Sequence, residues 1–174
     1  MNLAVTAIGR DRPGIVAAIT GVLLDAGGNA DDSQMSILHG HFAVMLLVSV
    51  PDETAIEELS LRLEEVGREF GLGGVTVSPV DRLDRGAEPT HVLTVYGKDR
   101  PGIVHEVAEL IAARGVNVTD LRTRRTGDAD SALYTMMMEL AVPDDPAGLG
   151  RALDELATER KVEVNLAELD TEVL

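Results

Sequence analysis

The residues best placed to do chemistry in this chain form one octapeptide written twice, GRDRPGIV from Gly9 to Val16 and GKDRPGIV from Gly97 to Val104. Each joins an acid and a base to a Pro-Gly pair ahead of a helical pattern. At the start of a helix the first N–H groups have no intrahelical acceptor and carry the positive end of the helix dipole, so an anion is held there by backbone alone. Pro13 and Pro101 suit the first helical position, where the missing N–H is no loss. That placement predicts donors at Gly14, Ile15 and Val16, and at Gly102, Ile103 and Val104. Glycine also lets a carboxylate approach the backbone closely. Two readings remain open at this point: Asp11 and Asp99 cap their own helices and occupy the donors, or the donors are left for a ligand. An asparagine follows each octapeptide at the same offset, Asn29 and Asn117. Its amide both donates and accepts, so beside a helix N-terminus it could satisfy both ends of a zwitterion, such as an α-amino acid.

Other candidates carry less. His39 and His41 in HGH are two metal ligands one residue apart on a predicted hairpin tip, too few without a third, so no metal site is assigned. DADSA, residues 128–132, is similar to the nucleophile motif of haloacid dehalogenase-type phosphatases, but it lies in a loop with too little chain behind it for such a catalytic domain, and it is read as a turn. Arg122 to Arg125, RTRR, is the one basic cluster. In a strand it places Arg122 and Arg124 on one face and Arg125 on the other, and the expected counterpart is a carboxylate of the chain or of a partner rather than a nucleic acid. No phosphate-cradling Gly-rich loop, zincin motif or nucleophile elbow is present, so no catalytic residue and no cofactor is assigned.

The elements that must position the octapeptides are themselves repeated. A shift of 88 residues lays Ile15, Val16, Ile19, Val22 and Leu23 on Ile103, Val104, Val107, Leu110 and Ile111, one helical face in both copies. Leu59, Leu63 and Val66 match Leu149, Leu153 and Leu156 at a shift of 90, and the growth of the shift falls in loops. The strands predicted are LAVTAI, Asn29 to Leu38, Phe42 to Val50 and VTVSPV in the first copy. In the second they are HVLTVYG, Asn117 to Thr126, Ala132 to Val142 and VEVNLAEL. Helices are expected over Pro13 to Ala26, Asp52 to Phe70, Pro101 to Arg114 and Asp144 to Arg160. The order βαββαβ, twice, predicts an α+β protein of two ferredoxin-like domains, each a four-stranded antiparallel sheet with both helices on one face. The expected limits are 1–80 for the first domain, 81–89 for a charged linker ending in Pro89, and 90–174 for the second. FAVMLLVSV and YTMMMEL are apolar at consecutive positions, which suggests strands covered on both sides and a homo-oligomer, with a dimer the simplest form.

Thirty acidic residues against fifteen basic ones give a net charge of -15, which opposes direct binding to nucleic acid, because such affinity comes mainly from Lys and Arg displacing counterions. No run of apolar residues reaches a membrane span, and the first residues lack the pattern of a secretion signal. The absence of cysteine removes disulfides and thiolate chemistry and fits a reducing compartment. The expectation is a cytoplasmic protein without membrane contact.

Two copies of DRPGIV opening a helix, each followed by GGNA or GVNV at the start of the second strand, resemble tandem ACT-domain proteins, in particular the stand-alone glycine cleavage system transcriptional repressor type. The resemblance spans nearly the whole chain. It implies a non-catalytic regulatory protein that senses a small ligand, glycine, serine or another amino acid, at an interface between ACT domains. It also implies modulation of a protein partner or, indirectly, of transcription. Carried over by position, the contacts implied are Asp11, Arg12, Pro13, Gly14 and Ile15 with Asn29, and Asp99, Arg100, Pro101, Gly102 and Ile103 with Asn117. ADDSQ after Asn29 differs from VTDLR after Asn117, so the two sites need not be equivalent. The alternative is a structural or assembly module whose turns bind no small molecule.

Overall fold

The computed structural model describes residues 1–81, 86–127 and 132–169, which fall into two units, Met1–Asp84 and Arg85–Leu174. The first unit runs β1 Asn2–Arg10, α1 Ile15–Asp25, β2 Asn29–Leu38, β3 His41–Ser49, α2 Ile56–Phe70 and β4 Leu72–Val80. The second runs β5 His91–Lys98, α3 Ile103–Ala112, β6 Asn117–Thr126, β7 Leu133–Ala141, α4 Pro146–Arg160 and β8 Glu163–Glu168. Each forms one antiparallel sheet, in the orders β2-β3-β1-β4 and β6-β7-β5-β8. The two are ferredoxin-like α+β units of the same topology.

Alternation along the strands decides which face is covered. Leu3, Val5 and Ala7 of β1 and Phe42, Val44, Leu46 and Val48 of β3 point to the helices and join Ile15, Ile19, Leu23, Leu59 and Leu63 in one buried cluster. Leu93, Val95, Met136, Met138 and Leu140 do the same with Ile103, Val107, Ile111, Leu149 and Leu153. The consecutive apolar runs therefore consist of one buried row and one partly open row. Met45, across from Thr6 on the helix-free face, is 53% exposed.

All four helices start later than the hydrophobic pattern suggests. The residues Pro51 to Thr54 form a turn closed by a 3.1 Å hydrogen bond from Thr54 N–H to Pro51 O, and α2 starts only at Ile56. Its first turn carries Glu57 and Glu58, on the favourable side of the helix dipole. α1 starts at Ile15 rather than Pro13, and α3 at Ile103 rather than Pro101, because Gly14 and Gly102 take φ of 97° and 94°. With proline before them, these are the values of a type II turn, a conformation that glycine alone adopts without strain. α4 starts at Pro146 rather than Asp144, and unlike α1 and α3 it is capped by a side chain, with Asp145 accepting a 2.9 Å hydrogen bond from Gly148 N–H. The first hairpin turns at His39 and Gly40, whose φ of 49° and 76° suit the tight reversal that matches strand twist. The corresponding GDADS turn and the phosphatase-like DADSA lie largely outside the described residues.

Candidate functional site

Both Pro-Gly turns leave the sheet at the same place. Asp11 N–H donates to Gly40 O at 3.0 Å and Asp99 N–H to Ala132 O at 3.1 Å, so each turn is tied to the edge of the neighbouring hairpin. The first intrahelical bonds are Ala18 N–H to Gly14 O, 2.9 Å, and Glu106 N–H to Gly102 O, 3.0 Å. The unpaired helical donors are therefore Ile15, Val16 and Ala17, and Ile103, Val104 and His105, one position later than the sequence suggests. No side chain caps α1 or α3. Asp11 and Asp99 are not caps, and the donors at both helix starts are left to solvent or to a ligand.

The first glycine of each octapeptide has another role. A β-carbon placed on Gly9 would lie 2.7 Å from the Cα of Leu72, and one on Gly97 would lie 2.6 Å from Cγ1 of Val162. Each marks a close crossing at the start of the edge strand that pairs beside it.

The asparagines are not beside the turns of their own units. Asn29 and Asn2 both lie opposite Ser49, while Arg10 and Leu38 both lie opposite His41. Asn29 thus stands at the opposite end of the sheet from the turn that follows Arg10, about 26 Å away along eight residues of strand. The second unit repeats this, with Asn117 opposite Ala141 and Lys98 opposite Leu133. One domain cannot present both groups to one small ligand; a site holding both needs the turn of one domain and the asparagine of another.

The surroundings differ between copies. Asn29 donates through Nδ2 to Asp31 Oδ1 at 2.9 Å, and Asp31 also accepts from Ser49 Oγ at 3.3 Å. Thr119 holds the place of Asp31, one residue into the same strand bulge, and donates instead to Glu139 O at 3.2 Å. In the second turn Arg100 donates to both oxygens of Glu106, at 3.2 and 2.7 Å, and Arg160 Nε reaches Glu106 Oε2 at 3.0 Å. Arg125 Nε pairs with Asp99 Oδ2 at 3.0 Å, and Arg122 with Asp120 at 2.9 Å. The RTRR cluster is thus engaged by carboxylates of its own unit on both strand faces. The hydrogen bonds from Arg100, with the added fields of Arg100 and Arg160, hold the Glu106 carboxyl below the usual glutamate range. Among the described residues neither Asp11 nor Arg12 has an ion-pair partner, and both are exposed. Sequence reading missed Glu106 and Arg160, although their unlike counterparts were visible in the repeat: Ala18 at a shift of 88 and Phe70 at a shift of 90.

A cleft of about 370 Å³ lined by His91, Asp154, Asn165 and Glu168 lies between α4 and β8, and one of about 310 Å³ is lined by Glu64, Arg68 and Leu72. Neither contains a residue of the repeated turns. Among the described residues no group of three or more His, Cys, Asp or Glu is arranged to hold a metal ion, and no helix is long and apolar enough to cross a membrane.

The sequence pattern of the ACT domain matches residues 2–77 and again 91–158. The chain belongs to the ACT domain family. It is 30% identical over 162 residues to the glycine cleavage system transcriptional repressor of Escherichia coli K12, covering 90% of this chain and 84% of that one. It is 29% identical over 168 residues to the phosphoserine phosphatase SerB2 of Mycobacterium tuberculosis, but spans only 40% of that protein's length. The crystal structure of an unknown protein from Galdieria sulphuraria superposes with a TM-score of 0.78 at 27% identity, covering 97% of this chain and 98% of that one. The likeness to the repressor and to the Galdieria protein extends through both ACT domains.

Proposed function

We propose that this chain is a non-catalytic regulatory protein that binds an amino acid at a Pro-Gly turn and passes its occupancy to a protein partner. The observation that carries this reading is the pair of uncapped helix starts at Ile15 and Ile103, whose N–H groups donate to neither Asp11 nor Asp99. An amino acid's carboxylate matches those N–H donors, and its ammonium group matches an asparagine carbonyl. The likeness to a transcriptional repressor of the glycine cleavage system points to regulation, and glycine and serine are the first ligands to test. The net charge of -15 favours control through a protein partner over direct contact with nucleic acid.

The separation of turn and asparagine supports assembly. β2 is an edge strand exposed along its whole length. Two β2 strands from two copies, paired antiparallel, would bring Asn29 of one copy to the turn end of the other, and would also remove an open sheet edge. A homodimer completed in this way is the partner arrangement we favour.

Thermal unfolding of the full chain in the presence of each of the twenty amino acids tests the reading, because a ligand that binds only the folded state raises Tm by mass action. A rise with one or a few amino acids is expected. Absence of any rise, together with a stable oligomer, would replace this reading with that of an assembly module.

A further inference from the structure

The two turns have the same backbone, but the residues around them have exchanged character at three corresponding places. Ala18, Ile37 and Phe70 of the first unit stand where the second has Glu106, Arg125 and Arg160. Ile37 faces Phe42, which faces Gly9, and Arg125 faces Tyr134, which faces Gly97, so the strand positions correspond by register as well as by sequence. A β-carbon placed on Gly14 would meet the Phe70 ring at 3.5 Å, whereas one on Gly102 would meet Glu106 Oε1 at 3.9 Å. The Glu106 carboxylate thus lies beside the second turn and takes both donors of the Arg100 fork, a geometry that matches a carboxylate with high specificity.

From this we infer that Glu106 shuts the second turn without capping its helix: beside the free N–H groups of α3 it binds Arg100 and Arg160, takes the cations that a ligand's carboxylate would pair with, and leaves the first turn alone to sense the amino acid. The inference rests on the proposed ligand reading for its second half only. Closure itself concerns Arg100, Glu106 and Arg160 and has a readout that needs no ligand. Arg100 Nε is buried without a hydrogen-bond partner among the described residues, held there by the grip of Glu106 on the other two nitrogens. Arg12 is exposed. A protein that uses one turn for sensing and keeps the other shut responds to a single occupancy per chain, and the shut copy is free to diverge as a scaffold.

The test uses the full chain, labelled with nitrogen-15. In the ligand-free protein the Arg100 Nε–H signal should exchange with solvent at least about tenfold more slowly than that of Arg12, and Glu106→Gln, which keeps the shape and removes the charge, should abolish the difference. Equal exchange in the unaltered protein would overturn the closure. Equilibrium dialysis with glycine and with L-serine then reads the consequence. The unaltered chain should take up about one amino acid, Glu106→Ala about two, and Ala18→Glu with Phe70→Arg should weaken binding about tenfold or more by installing the same lock on the first turn. Two sites in the unaltered chain, or no gain on removing Glu106, would overturn the inference. Slow Arg100 exchange with no uptake of either probe by any variant would uphold the lock and overturn the amino-acid reading of the first turn.

Discussion

Asp11–Ile15 and Asp99–Ile103 are the same peptide folded into the same turn, and they differ in what surrounds them. The repeated residues set the backbone: the crossing at Gly9 and Gly97, the left-handed glycine at Gly14 and Gly102, and the helix that starts one residue later. The unrepeated ones set the wiring. Arg100 is clamped by Glu106 and Asp99 by Arg125, while Arg12 and Asp11 are exposed. Identical motifs therefore do not have identical surroundings. The side chains that differ come from the next helical turn, the far strand and the second helix, at positions where the copies no longer agree.

The comparison holds that cores and turns are equivalent and that only the surroundings of the turns differ. Its cores can be tested first, since they carry the largest energies. Leu63 and Leu153 occupy the same place on α2 and α4 and are buried alike, so Leu63→Ala and Leu153→Ala should each cost about 2–5 kcal/mol in urea unfolding. A large disparity would break the claim of equal cores. Next come the strand crossings. Gly9→Ala sets a methyl against the Leu72 backbone and should cost about 1–3 kcal/mol, more than Gly97→Ala, whose neighbour is a valine side chain that can give way. Gly14→Ala and Gly102→Ala should each cost about 1–2 kcal/mol, because both need a left-handed backbone, and here the copies should agree. The smallest effect is on pH. The Glu106 carboxyl is held low in the folded chain, so its contribution is complete above the ordinary glutamate range and is lost as pH falls through the lower folded value. Acidification through that value should therefore narrow the difference in exchange between Arg100 Nε and Arg12 Nε.

Much of the fold was legible because duplication doubled every signal. Helical spacing from Ile15 to Leu23 recurs from Ile103 to Ile111, and each run leads through a glycine to an asparagine that opens a strand. The helix starts were less legible. Pro13 reads as a first helical residue by preference, but paired with Gly14 it completes a type II turn, and the glycine's positive φ moves the start of the helix to Ile15. The two turns were legible as a repeated conformation, but their distance from the asparagines was not. Asn29 is near the octapeptide in sequence but stands at the other end of the sheet, and only strand register reveals that. Glu106 and Arg160 escaped notice because ion pairs between helices leave no periodic trace in one chain; the unlike pairings with Ala18 and Phe70 were the one available sign.

The most direct test of one open and one shut turn is calorimetric titration of an amino acid that raises Tm into Arg12→Ala and Arg100→Ala chains, side by side with the unaltered protein. The account predicts that Arg12→Ala loses the binding, about tenfold or more in affinity, and that Arg100→Ala retains it. Retention in Arg12→Ala with loss in Arg100→Ala would contradict it.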